Sequence, residues 1–155
     1  MLGSAEVRRD GATLTVPGGR TAELLARLAV EAGAPVRAER LIEDLWGDEA
    51  PTTSRNTLQS KVARLRRALG NPGLVATRDD GYLLVADRAA VDVLAVLDEA
   101  TEATHLLDGG DLHAAADLCR AALDRFRGDV LPAAGDAEWA VPHRARLLEA
   151  RRTLT

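Results

Sequence analysis

The chain has 155 residues, 46 % hydrophobic, 28 % charged and only 3 % aromatic, which fits one ordinary globular domain or two small ones with cores of Leu, Val and Ala. A single cysteine, Cys119, excludes a disulfide within the chain and fits a reducing compartment, and no apolar run is long enough for a membrane span or a signal peptide. The formal net charge of −4 argues against a uniformly basic polyanion binder but says nothing of local patches.

AEVRRDGATLTV alternates apolar and polar residues around Asp10-Gly11, a hairpin signal, and Pro17-Gly18-Gly19 stops the second strand. TAELLARLAVEAG sets Ala22, Leu25, Leu28, Ala29 and Ala32 on one stripe at helical spacing. Thr21 is expected to cap this helix, and Gly33 to close it in a left-handed conformation. After Ala34-Pro35, RAERLIEDLWG predicts a short amphipathic helix that buries Leu41, Ile42, Leu45 and Trp46 and ends at Gly47. DEAPTTS, residues 48–54, is a polar loop around Pro51.

RNTLQSKVARLRRALG, residues 55–70, carries five basic side chains and no acidic one. Thr53 or Ser54 serves as N-cap and Gly70 as the C-terminal stop. At 100° per residue, Leu58, Val62, Leu65 and Leu69 fall in one narrow arc, the core face. Asn56, Ser60, Arg64 and Arg67 lie opposite, flanked by Thr57 and Lys61. Arg66 sits nearer the core edge, where its stem can lie along apolar surface. An amide, hydroxyls and cations with no large apolar group are what a helix needs in a DNA major groove. Arg can pair bidentately with guanine and Asn with adenine, while Ser and Thr serve bases or phosphates. A solvated surface helix is the plain alternative, and this stretch alone leaves it open.

Asn71-Pro72-Gly73 predicts a turn, and LVATRDDGYLLVAD a second hairpin around Asp79-Asp80-Gly81, with Arg78 near its tip within reach of phosphate. From Val91 the pattern is helical: one helix to Gly109-Gly110, one capped by Asp111 and ended by Gly128, and a third that has Pro142 near its start and no partner. Charge divides along the same line. No acid lies between Glu49 and Asp79, whereas the region from Val91 has twelve Asp and Glu against seven Arg. The expected architecture is an α+β winged helix-turn-helix domain over residues 1–88, followed by an all-α module over residues 89–155 resembling helical repeats of the tetratricopeptide kind.

ERLIEDLWGDEAPTTSRNTLQSKVARLRRALG followed by LVATRDDGYLL resembles the OmpR-type DNA-binding domain of the Streptomyces antibiotic regulatory protein family. VDVLAVLDEA, GDLHAAADLCRAALDRFRGDVL and EWAVPHRARLLEARR are similar to the bacterial transcriptional activator domain that follows it there. The resemblance implies a sequence-specific activator, such as one serving a secondary-metabolite gene cluster. It would bind a direct-repeat operator in double-stranded DNA as a homodimer and recruit RNA polymerase holoenzyme, with residues 48–54 facing the polymerase or a neighbouring protomer. It places base-reading positions at Asn56, Thr57, Ser60, Lys61 and Arg64, nearly the set the helical wheel selects. Three features depart from the family, the first being a clipped opening strand in which only Met1 precedes Leu2-Gly3. Asp79-Asp80 puts carboxylates at the hairpin tip, where they repel phosphate, and the helical module stops early, so it is expected to be incomplete.

The expected DNA contacts are therefore Asn56, Thr57, Ser60 and Arg64 for specificity, and Arg66, Arg67, Arg78 and in part Lys61 for phosphate neutralisation. Arg8 and Arg9 read as surface charges, Trp46 and Cys119 as core, and Trp139 as an anchor for the third helix. The three histidines and the cysteine lack zinc spacing, no phosphate loop follows Gly18-Gly19, and nothing asks for an enzyme, a cofactor or a metal. A cytoplasmic, nucleoid-associated protein is expected. A second reading is a helical adaptor whose winged domain docks an acidic protein surface instead of DNA. Phosphorylation control through a receiver is disfavoured, because the sequence contains no receiver domain.

Overall fold

The first two strands, β1 (Glu6–Arg9) and β2 (Ala12–Thr15), pair antiparallel with Arg9 opposite Ala12, so Asp10-Gly11 is a two-residue turn. Both turn residues have positive φ, 51° and 80°, the mirror-image turn that matches strand twist and that Asp-Gly accommodates. The structure is a computed structural model and describes residues 1–50 and 52–155; Pro51, at the centre of the expected polar loop, lies outside them.

Helix α1 (Arg20–Ala29) is buried on all sides from Thr21 onward, not along a single stripe. It lies in the middle of the molecule, against the two helices that follow it on one side and the turn at Pro132–Ala134 of the helical half on the other. Thr21 is not its cap. The helix begins at Arg20 after Gly19 (φ 69°), and Thr21 is inside it at 1 % exposure. Gly33 does adopt a left-handed φ of 84° and donates its N–H to the Leu84 carbonyl at 2.8 Å.

A strand that the sequence reading passes over, β3 (Val36–Arg37), leads into helix α2 (Ala38–Trp46). After the polar loop come α3 (Ser54–Leu69) and the hairpin of β4 (Val75–Arg78) and β5 (Gly81–Leu84). β3 pairs antiparallel with β5, so the wing is a three-stranded sheet in the order β3-β5-β4. The pairing sets Arg37 opposite Gly81, where backbone approaches so closely that a Cβ on Gly81 would lie 2.2 Å from the Val36 oxygen. Only glycine fits there.

The helical half consists of α4 (Asp92–Asp108), α5 (Leu112–Leu123) and α6 (Ala140–Leu154). α4 and α5 pack as a pair around Gly109-Gly110, and the Asp111 carboxylate caps α5 by accepting from the Ala114 N–H at 3.0 Å. α5 stops at Leu123, five residues before the expected Gly128, because the backbone turns through Arg125 and Phe126. α6 is not unpartnered: it packs on α4 and α5 and buries Leu147, Ala150 and Leu154.

The two halves share one continuous core. Trp139, just before α6, is buried and donates its indole N–H to Glu23 of α1 at 3.1 Å. Glu23 also accepts from Arg20 at 2.6 Å, so this nearly inaccessible carboxylate has partners on both oxygens. Arg27, also of α1, lies 5.7 Å from the Trp139 ring and bonds Asp44 of α2 at 2.7 Å and Glu31. Residues 1 and 2 add a second tie. The Leu2 N–H meets Asp92 at 2.8 Å, and the Leu2 carbonyl accepts from the Arg127 N–H at 2.8 Å.

Candidate nucleic-acid interface

The hydrophobic arc of α3 sits where its period puts it. Leu58, Val62, Leu65 and Leu69 are each no more than 1 % exposed, packed towards α1 and α2. Gly70 closes the helix with φ 67°. The opposite face is open: Asn56, Ser60, Arg64 and Arg67 are exposed, with Thr57 and Lys61 half-buried at its edge. Gln59 is exposed beside them. The sequence reading overlooked it, although its amide has the same donor–acceptor pair as Asn56. Thr53 precedes the helix but makes no side-chain cap; its carbonyl instead accepts the Thr57 hydroxyl at 3.1 Å.

The five cations of α3 have three different fates. Arg55 is paired with Glu39 of α2 at 3.2 Å. Arg66 reaches under the wing, where its Nε and Nη2 bond the Val75 carbonyl at 2.9 and 2.7 Å and its Nη2 also meets the Thr77 hydroxyl at 3.0 Å. Its guanidinium lies 5.9 Å from the Tyr82 ring. Lys61, Arg64 and Arg67 have no ion pair among the described residues. Arg66 therefore stands apart from the set expected to meet phosphate. It fixes the wing to the helix, its head held by the Val75 carbonyl and the Thr77 hydroxyl.

At the wing tip Asp79 has a left-handed φ of 47° and Asp80 is engaged from β3. The Arg37 guanidinium donates to the Asp80 carboxylate at 3.2 Å, and the Ala38 N–H donates to its carbonyl at 2.9 Å. One of the two carboxylates expected to repel phosphate thus has its own cation. Arg78 is exposed, with its guanidinium on the neighbouring Thr77 carbonyl at 3.0 Å and no acid paired with it among the described residues. Asn56, Ser60, Arg64 and Arg67 accordingly share one outward face, Arg78 stands on the adjoining wing, and Arg66 joins the two from behind. The arrangement presents hydrogen-bonding groups on a convex helix beside a wing strand that carries the unpaired Arg78, the shape and chemistry that fit a groove and its flanking phosphates.

Residues 16–84 match the family described as transcriptional regulatory protein, C terminal, and residues 91–155 match the bacterial transcriptional activator domain. The chain is 35 % identical over 152 residues to the regulatory protein AfsR of Streptomyces coelicolor, a match covering 97 % of this chain and 15 % of that one. It is 32 % identical to the regulatory protein DnrI of Streptomyces peucetius, over 84 % of this chain and 52 % of that protein. It therefore spans about half, or far less, of the length of these relatives. The solved structure of Mycobacterium tuberculosis EmbR in complex with a low-affinity phosphopeptide has the same fold, with a TM-score of 0.89 at 27 % identity over 99 % of this chain and 42 % of that one.

Proposed function

The chain belongs to the Streptomyces antibiotic regulatory protein family, and on that premise we propose that it binds double-stranded DNA through the outer face of α3 and activates transcription. The observation that carries this reading is that Lys61, Arg64 and Arg67, which have no ion pair among the described residues, lie on one helix with the exposed Asn56, Gln59 and Ser60 and with no acid on that helix. Asn56, Thr57, Ser60 and Arg64 meet base edges in the major groove. Lys61, Arg67 and Arg78 neutralise phosphates, and Arg66 acts indirectly by fixing the wing. The site is a direct repeat occupied by two copies. Asp48 and Glu49, exposed after α2, offer an acidic contact to RNA polymerase or to a neighbouring protomer. Secondary-metabolite genes are the target this reading favours, by analogy with the family.

The test is a titration of labelled duplex from the gene's own upstream region across a salt series, with and without excess unrelated DNA. Binding that survives the competitor, and whose log affinity falls with log salt at about 0.9 per neutralised phosphate, supports the reading. A folded protein that ignores duplex at low salt favours the adaptor reading instead and directs the search to acidic protein surfaces.

A further inference from the structure

A cleft of about 320 Å³ opens where the first hairpin, the base of the wing and the start of the helical half converge. Its lining includes Leu25, Leu69, Leu74, Leu84 and Val85. Val85 is 46 % exposed, an isolated large apolar side chain that no element of the fold covers. The rim carries charge. Arg125 lines the cleft but is held by Glu99 at 2.6 Å, and Asp92 is taken up by the Leu2 N–H and the Met1 nitrogen. That leaves Arg8, Arg127 and Glu6 with no ion pair among the described residues, a balance of one positive charge. The cavity is at the lower end of the range for small-molecule sites and too small for a protein helix.

We propose that this cleft binds a small amphipathic acid, its apolar body on Leu74, Leu84 and Val85 and its anionic group between Arg8 and Arg127. The argument rests on shape and charge together: apolar side chains line the cleft, and its unpaired groups, Arg8 and Arg127 against Glu6, leave one positive charge that favours a carboxylate or sulfonate over an amine. The occupant touches the last residue of α3 (Leu69), the last residue of the wing (Leu84) and the residue that opens α4 (Val91). Its binding is thereby coupled to the way the helical half sits on the DNA-binding half, and any effect of one on the other is reciprocal.

The probe is the amphipathic sulfonate anilinonaphthalene sulfonate, titrated by fluorescence against the folded chain, with the uncharged phenylnaphthylamine as its partner. One saturable site is expected for the sulfonate. Val85→Trp, at an exposed position, should fill the cleft and abolish binding of both dyes. Arg127→Glu should weaken the sulfonate about tenfold and leave the uncharged dye unchanged. Each variant is first shown to melt at the parent's temperature, and Arg8→Glu carries the same charge test from the opposite rim should Val85→Trp melt early. Sulfonate binding that is untouched by all three variants, or that is lost instead on Leu112→Ser or Val141→Ser at the exposed apolar positions of α5 and α6, overturns the proposal.

Discussion

Arg66 shows how one residue can be basic, stand on the helix proposed to read DNA, and serve the fold. Three of its hydrogen bonds go to β4, and two of them satisfy the carbonyl of Val75, a residue with no exposed surface. Removing the side chain leaves that carbonyl short of partners, which costs about 1–3 kcal/mol. Arg66→Ala is therefore expected to lower stability in urea unfolding while leaving the salt slope of DNA binding unchanged. A slope that falls by about one with no loss of stability would instead mark Arg66 as a phosphate ligand. Asp80 is a similar case. Counted as a bare charge it opposes DNA, but it is held by Arg37 and helps join the wing turn to β3.

At the scale of elements, the wing depends on a close approach at one glycine. Gly81→Ala puts a methyl group 2.2 Å from the Val36 oxygen, with backbone on the far side and no flexible side chain to yield. It should separate β3 from β5 and destabilise the chain by more than an ordinary surface substitution, about 2 kcal/mol or more; amide exchange at Arg37 and Tyr82 would report it directly. The sequence makes some elements legible and hides others, for identifiable reasons. α3 is readable because sixteen residues give its period over four turns, and both the core arc and the open face follow from that. β3 has two residues, too few for any period, and only its pairing with β5 reveals it. α1 reads as one-sided because Glu23 and Arg27 interrupt its apolar pattern. The structure buries both, against partners on α2 and before α6 that lie far away in sequence. The same distance hides the clamp of Arg66 on a strand that follows a turn.

Across the whole molecule, the two halves are joined by buried polar contacts as well as by shared core. Trp139→Phe keeps an aromatic side chain but loses part of the indole's buried volume and the donor to Glu23, leaving a buried carboxylate oxygen without its partner. A loss of about 1–3 kcal/mol is expected, visible as a lower urea midpoint. His143 lies at the same junction, its ring 6.2 Å from that of Trp139. Burial, and then the charge of Arg27, pushes its pKa below the ordinary 6.5, with a further push from Arg146 and opposition from Glu31 and Asp44. Below pH 6.5 the unfolded chain therefore takes up a proton at this imidazole more readily than the folded state does. Its contribution to stability is fully present above pH 6.5 and is lost as the pH falls through the lower folded value. His143→Gln should flatten the acid limb of stability between pH 7 and pH 5, measured by thermal melts about a unit apart. An unchanged limb would place the acid sensitivity elsewhere.

On the proposed reading, the outer face of α3 meets base edges with some residues and phosphates with others. Arg64→Ala and Arg67→Ala, compared on a selected duplex and on its single-base variants, separate the two roles. Arg64→Ala is expected to cost about 1–3 kcal/mol and to erase discrimination at one base position. Arg67→Ala should weaken every sequence alike and lower the salt slope by about one. Equal, sequence-independent losses from both variants would contradict the division of labour on this helix.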